Sequence, residues 1–148
     1  MKPLDVLQNM IEGTVPPPPV AGTVGMRLVE IEPGRARFEL DAEERHANPM
    51  GTLHGGILCD LADGAMGCAY ASLLEDGESF ATLELKINFL RPFWTGRLRA
   101  TARVVSSGRA VGMAECEIHD DRGRLIAKAT STCMTLRGNA AEERAVGA

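Results

Sequence analysis

A single long helical pattern, preceded by two strand-like segments and followed by four, most constrains the fold of this chain. In residues 57–74 the apolar side chains recur on one broad helical face, whereas small residues and Asp60 share the opposite face. A lone helix of this kind has to bury its apolar face against the sheet that the strands form. We therefore expect an α+β fold in which a curved antiparallel β-sheet wraps around one long central helix.

The strand-like segments are separated by short turns. Residues 26–40 alternate apolar and polar side chains on both sides of Pro33-Gly34, which predicts a hairpin. Four further segments are bounded by turn residues: 80–90, 98–106, 110–120 and 125–136. Because short connections join these segments, we expect consecutive strands to pair in antiparallel fashion.

The 148 residues suffice for one domain with one core. Residues 4–11 predict a short amphipathic helix, and the proline-rich TVPPPPVAG after it is expected to be extended, because proline fixes φ and lacks an N–H. The last stretch, GNAAEERAVGA, has no apolar period and is expected to be a disordered tail. These features divide the chain into an N-terminal helix and linker (1–21), the main domain (22–138) and a tail (139–148).

Composition argues against several classes of protein. A net charge of −4 without a basic stripe gives no reason to expect a nucleic-acid partner. No apolar run approaches the roughly 20 residues that span a bilayer, and the amino end does not resemble a secretory signal, so we expect a cytoplasmic protein without a membrane partner. The four cysteines and three histidines lack ligand spacing, which favours reduced, packed thiols and no metal over a disulfide or zinc site.

The start of the helical pattern carries an unusual polar sequence, NPMGTLHGG. Unpaired N–H groups in the first turn of a helix favour negative charge, and Gly55 and Gly56 leave room for a ligand oxygen to approach this backbone. A carbonyl oxygen held there would be stabilised as it becomes an oxyanion. Asn48 and His54 can donate to the same oxygen or fix the loop. The alternative is a tight loop-to-helix connection in which His54 is a capping or surface residue.

Asp63 lies within the helical pattern, where aspartate is unfavourable because its side chain competes for backbone hydrogen bonds. A carboxylate near a polarised carbonyl group suits acyl-group hydrolysis, as general base or as nucleophile. The small residues beside it suggest that a second subunit packs there, so that Asp63 of one chain would face the Gly55 region of another. The alternative is that Asp60 and Asp63 both lie on a solvated side of the helix.

These motifs resemble a known family. NPMGTLHGG followed by LADGAMG, with Asp63 nine positions after His54, is similar to the hotdog-fold acyl-CoA thioesterases of the PaaI-like (4HBT) superfamily. The later segments ATLELKINFLRP, SSGRA and LIAKATSTCMTLRG extend the similarity over residues 22–138. The resemblance implies a hotdog fold, a homodimer or homotetramer with its sites at the dimer interface, and an acyl-CoA substrate. Coenzyme A would then be part of the substrate, with no separate cofactor.

The resemblance also implies roles for the catalytic residues. Asp63 matches the family's catalytic carboxylate, and Gly55 matches the backbone N–H that polarises the thioester carbonyl group. Asn48 and His54 match the polar residues that support this group. Thr82 matches the position of a hydroxyl group that helps to hold the attacking water.

Candidate CoA-binding residues are assigned from their position in the sequence and their chemistry. Gly56 lies at the helix start, and Arg91, Arg97 and Arg109 lie on or beside loops, where a guanidinium group can bind phosphate. Each arginine is otherwise an ordinary surface residue. The sequence thus predicts an acyl-CoA thioesterase. The alternatives are a noncatalytic acyl-CoA-binding hotdog protein and a hotdog dehydratase or hydratase.

Overall fold

The computed structural model describes residues 1–147. The described helices are α1 (Pro3–Glu12), α2 (Pro19–Val24), the 3₁₀ turn η1 (Glu44–His46), α3 (Gly55–Ala71) and α4 (Asn139–Glu142). The described strands are β1 (Met26–Glu32), β2 (Arg35–Ala42), β3 (Ser79–Phe89), β4 (Gly96–Ser107), β5 (Val111–Asp120) and β6 (Leu125–Leu136).

The six strands form one antiparallel sheet in the order β1-β2-β4-β5-β6-β3. The sheet curves around α3, which packs mainly across β2, β4 and β5. Leu61 of α3 is fully buried in the same core as Leu40 and Leu98, which are direct cross-strand partners. This architecture confirms the predicted hotdog fold, with one long helix enclosed by an antiparallel sheet.

The pairing of β3 differs from the sequence prediction. Although only residues 90–95 separate β3 from β4, β3 pairs with β6, so that Ser79 lies opposite Leu136 and Phe89 opposite Ala127. The connecting segment crosses the end of the sheet and docks before α3, where the Leu53 N–H donates to the Phe93 carbonyl oxygen at 2.8 Å. The expected pairing of consecutive strands is therefore wrong here, and β3 forms an edge of the sheet.

Small residues of α3 pack largely within their own chain. A Cβ atom on Gly67 would lie 3.2 Å from the Phe80 ring, and Ala71 is buried beside Leu7 in a second apolar cluster. The prediction that this face is kept small for a second subunit is therefore wrong for Gly67 and Ala71. The open side of α3 lies instead around Asp63.

Both ends of the chain contain short helices that the sequence did not suggest. Residues 19–22, expected to be extended, form most of α2 (Pro19–Val24), which has a proline in its first turn, where an N–H would have no intrahelical acceptor. Residues 139–142, expected to be disordered, form α4 with Ala141 buried. Residue 148 lies outside the described residues, and the division at residues 21 and 138 stays a prediction.

Among the described helices, none combines the length and apolar character that a bilayer crossing requires. All four cysteines carry free thiols, and Cys116 and Cys133 are buried. The cytoplasmic location stays a prediction from the sequence.

We expect Gly64→Ala to raise the free energy of unfolding by about 0.5–1 kcal/mol, because glycine inside a helix is less favourable than alanine by this amount. The added methyl group would lie 3.5 Å from the nearest atoms of Met26 and Phe38, which is ordinary van der Waals contact. Gly67→Ala is the matched control, since its methyl group would crowd Phe80 and offset the gain. Urea denaturation followed by circular dichroism measures both changes, and equal gains would contradict the packing of Phe80 on Gly67.

Candidate active site

Asn48 organises the loop that precedes α3. Its Oδ1 accepts hydrogen bonds from the N–H groups of Met50 and Thr52 at 3.0 and 3.1 Å, and its Nδ2 donates to the Thr52 hydroxyl at 2.7 Å. A side chain that binds its own loop in this way stabilises a tight turn. Both polar groups of the Asn48 side chain are therefore used within the loop, so that Asn48 fixes the loop.

The first turn of α3 has one capped and one unpaired N–H group. Nδ1 of His54 accepts a hydrogen bond from the Gly56 N–H at 2.8 Å, so His54 is the N-cap of the helix. The Gly55 N–H has no acceptor among residues 1–147. Because helix N-termini favour negative charge, this N–H is available to a carbonyl oxygen or an oxyanion.

Gly55 is also required by packing. A Cβ atom on Gly55 would lie only 2.8 Å from the ring of Phe89, the last residue of β3. The absence of a side chain at Gly55 thus lets β3 end directly against the start of α3, an explanation that the sequence pattern did not suggest.

A cavity of about 320 Å³ opens at the helix start, and Asn48, Gly55 and Arg91 line it. Arg97 lies elsewhere, on β4, where its Nε donates to Asp41 Oδ1 at 2.9 Å. Arg109 lies in the turn after Ser107, at the other end of β4 from Gly96. Within one chain, the structure therefore brings Arg91 to the helix start but neither Arg97 nor Arg109.

Asp63 lies on the open side of α3 and contacts β3. The Thr82 hydroxyl donates to Asp63 Oδ1 at 3.2 Å. Asp63 also lines an apolar cavity of about 590 Å³ that is separate from the one at Gly55. The structure therefore brings Thr82 and Asp63, two of the predicted catalytic residues, together.

Desolvation raises the pKa of the Asp63 carboxyl group above its ordinary value, because nearby protein atoms displace part of its water. The hydrogen bond from Thr82 lowers the pKa by stabilising the ionised form, and the negative charge of Asp60 raises it. An ionised carboxylate with a raised pKa is a stronger base than an ordinary aspartate. These surroundings suit a group that accepts a proton from water.

Gly55 and Asp63 of one chain are too far apart to act on one reacting carbon. They are eight residues apart on the same helix, which corresponds to about 12 Å along the helix axis. A donor to a carbonyl oxygen and the base that acts at its carbon must both lie within a few ångströms of that group. One chain therefore presents two separate half-sites.

His46 is a positioning residue that the sequence reasoning missed. It is buried, its Nε2 donates to the Val24 carbonyl oxygen at 2.7 Å, and its own carbonyl oxygen accepts from the His54 N–H at 2.9 Å. Its Nδ1 accepts from the Glu43 N–H at 2.9 Å, which fixes the proton on Nε2. His46 thereby ties the end of α2 to the start of α3. Since both contacts are tertiary, no local pattern indicates them.

Both the fold and the sequence of the chain are similar to those of known proteins. A family model described as the thioesterase superfamily matches residues 50–127. The 1,4-dihydroxy-2-naphthoyl-CoA hydrolase of Listeria monocytogenes is 32% identical over 104 residues, which are 70% of this chain and 85% of that protein. A phenylacetic acid degradation-related protein of Ralstonia eutropha JMP134 is 37% identical, with a TM-score of 0.80 over 86% of this chain and 98% of that one. The E. coli PaaI protein is 25% identical, with a TM-score of 0.81 over 93% and 98%.

We expect Thr82→Val to raise the pKa of the Asp63 carboxyl group further, because the substitution removes the hydrogen bond that stabilises its ionised form. A pH titration followed by NMR of carboxyl-¹³C-labelled aspartate measures this shift. Thr132→Val is the matched control, since the Thr132 hydroxyl donates to Glu84 instead. An unchanged Asp63 titration in Thr82→Val would show that the bond does not form in solution.

Proposed function

We propose that this member of the thioesterase superfamily, a thioester hydrolase, hydrolyses an acyl- or aryl-CoA thioester to the free carboxylic acid and CoA. The observation that carries the proposal is the placement of Asp63, a partly desolvated carboxylate in hydrogen-bond contact with Thr82 beside an apolar cavity. The relatives named as CoA thioester hydrolases support CoA as the thiol part of the substrate.

In the proposed reaction, the thioester oxygen accepts a hydrogen bond from the Gly55 N–H, which stabilises the negative charge that develops as the carbonyl carbon is attacked. One such donor contributes about 3–4 kcal/mol in acyl-transfer enzymes. As general base, Asp63 takes a proton from water while the water oxygen bonds to the carbonyl carbon. The C–S bond then breaks, and the CoA thiolate leaves and takes up a proton. As nucleophile, Asp63 would instead form an anhydride that water hydrolyses.

The remaining predicted residues support these two groups. His54 caps the helix that presents Gly55, Asn48 holds the preceding loop, and Thr82 orients Asp63. Arg91, in the cavity at the helix start, is a proposed contact for CoA. Gly56, which lines a second cavity with His54, is another. Arg97 and Arg109 of the same chain lie away from this cavity, so a CoA contact by either would involve the site of a second chain. Since CoA belongs to the substrate, the proposed reaction uses no separate cofactor.

The two half-sites fit together when two copies of the chain pair through β3. Along this strand, Thr82 contacts Asp63 while Phe89 packs against Gly55. An antiparallel pairing that places residue 82 of one chain opposite residue 89 of the other brings Asp63 of the first chain next to Gly55 of the second. β3 is an edge strand with unpaired backbone groups, and its Leu83 side chain is 55% exposed. A two-fold homodimer, alone or within a tetramer, is therefore the proposed active assembly.

We expect Asp63→Asn to lower kcat for thiol release from acyl-CoA by about 10²- to 10⁴-fold, because the amide cannot accept the proton from water. Thiol release from a panel of aliphatic and aryl acyl-CoAs, followed with a thiol-reactive dye, measures this loss. Asp121→Asn is the control and should keep kcat within about threefold of the parent, because Asp121 is an exposed aspartate in the turn after β5, where it pairs with Arg99.

Three outcomes would contradict the proposed function. They are no thiol release from any thioester, tight acyl-CoA binding without turnover, and hydration of an enoyl thioester without thiol release.

For the active parent, kcat/KM should fall as the pH drops through the pKa of Asp63, since the protonated carboxyl group is not a base. In Thr82→Val this decline should begin at a higher pH.

We expect sedimentation equilibrium to give a mass of at least two chains, and Leu83→Lys to weaken this assembly by placing a like charge on both facing edge strands. Activity of this variant should fall in parallel with dissociation as the protein is diluted. Val105→Lys is the control, since Val105 is also exposed but lies on β4, which has a neighbouring strand on each side. A fully active monomer would overturn the shared site while leaving thioester hydrolysis itself in place.

A further inference from the structure

We infer that the amino-terminal segment, residues 7–28, forms one side of the acyl-binding pocket and that this pocket selects extended, uncharged acyl chains. The inference rests on the proposed function and names its substrate class. The cavity beside Asp63 is lined by Met10 of α1, Val20 of α2 and Leu28 of β1 on one side and by Cys68 of α3 on another. The side chains of these four residues are apolar or, for Cys68, weakly polar.

The position of Asp63 connects this cavity to the reaction. Since Asp63 lies on the cavity wall, an acyl group whose carbonyl carbon is at Asp63 has this apolar space next to it. The cavity at the helix start contains Arg91 and the loop held by Asn48 instead, which suits the polar CoA part. The two cavities therefore differ in polarity as the two halves of an acyl-CoA molecule do.

The charges around the pocket disfavour a charged acyl chain. Among the described residues, its charged lining side chains are Arg27, Asp60 and Asp63. Arg27 is already paired, with Nη1 3.3 Å from Asp41 and Nη2 3.7 Å from Glu39. An acyl chain ending in a carboxylate would thus meet an apolar wall, two carboxylates and a guanidinium group that already has two acidic partners. Burial of such a charge without a partner is strongly unfavourable.

The size of the pocket favours more than a short chain. Its volume is about 590 Å³, whereas a cavity of about 150 Å³ accommodates a benzene molecule. Pockets for small molecules commonly range over about 300–1,000 Å³. An acetyl group would leave most of this space unused, whereas a chain of medium length would exchange water for apolar contact along its whole length.

The amino-terminal side of the pocket is preformed. Leu7 is 3% exposed and is buried with Tyr70 and other residues of the second apolar cluster. At the end of α2, Arg45 Nη1 donates to the Thr23 carbonyl oxygen at 3.1 Å, next to the bond from His46. Both α1 and α2 are therefore attached to the core, and the pocket wall does not have to order around the ligand.

A series of saturated acyl-CoAs from acetyl to dodecanoyl tests the inference. We expect kcat/KM to rise by up to about threefold to fourfold per added CH₂ group until the chain fills the cavity. Adipoyl-CoA, which has the six carbons of hexanoyl-CoA and a terminal carboxylate, should be hydrolysed with a kcat/KM at least about tenfold lower than hexanoyl-CoA.

A matched pair of variants assigns the effect to the amino-terminal segment. Val20 and Val111 are similarly exposed, at 48% and 47%, but Val20 lines the pocket and Val111 lies on β5. Val20→Gln should lower kcat/KM for decanoyl-CoA about fivefold and leave that for acetyl-CoA unchanged, because it removes apolar surface met only by a long chain. Val111→Gln should leave both values unchanged.

The outcomes separate this inference from the proposed function. No hydrolysis of any member of the series would overturn the pocket assignment, and the proposed function falls with it if the aryl-CoAs are not hydrolysed either. Three results would overturn the pocket assignment alone. They are hydrolysis with no dependence on acyl-chain length, equal rates for adipoyl- and hexanoyl-CoA, and the same loss of kcat/KM for decanoyl- and acetyl-CoA in Val20→Gln. A chain-length profile that shifts in Val20→Gln and not in Val111→Gln supports it.

Discussion

Burial of α3 inside one curved sheet is the constraint on which the rest of the structure depends. The apolar side of the helix, including Leu61, is covered by inward-facing residues such as Leu40 and Leu98. The sheet cannot cover the whole circumference of the helix, and Asp63 lies on the side that stays open. The same packing directs the first turn of α3 toward the end of β3, where Phe89 meets Gly55. The fold thus determines where a carboxylate and an unpaired N–H group can be presented.

The two half-sites are held by different kinds of interaction. At the helix start, the loop satisfies the polar groups of Asn48 and the Gly56 N–H internally, whereas the Gly55 N–H has no acceptor in the part of the chain that the structure describes. Such a donor is already oriented before a ligand arrives, which is what makes a backbone N–H effective toward developing charge. At Asp63, partial loss of water and one hydrogen bond act on the pKa in opposite directions. The half-site at Gly55 thus depends on the fixed orientation of an N–H group, whereas the half-site at Asp63 depends on the basicity of a carboxylate.

The sequence alone predicted the parts of this structure that have a local period or a local motif. The long helix and all six strands follow from side-chain periodicity, and the hotdog arrangement follows from the resemblance to the thioesterases. The hydrogen bond from Thr82 to Asp63 was not predicted, because it joins two different elements. The pairing of β3 with β6 could not be predicted, because strands far apart in sequence leave no local mark of their contact. The contact of Phe89 with Gly55 was missed for the same reason, as was the attachment of α2 by His46.

The separation of Gly55 and Asp63 along one rigid helix has a consequence for how the enzyme becomes active. Under the proposed pairing, a newly synthesised chain carries both functional groups and yet has no complete site, so assembly itself switches activity on. Each site of a pair then draws one group from each chain. A dimer with one chain that lacks the Asp63 carboxylate would keep one working site out of two. Loss of the carboxylate in a minority of chains would therefore reduce activity in proportion to the fraction of such chains, and the carboxylates of the intact partners would stay active.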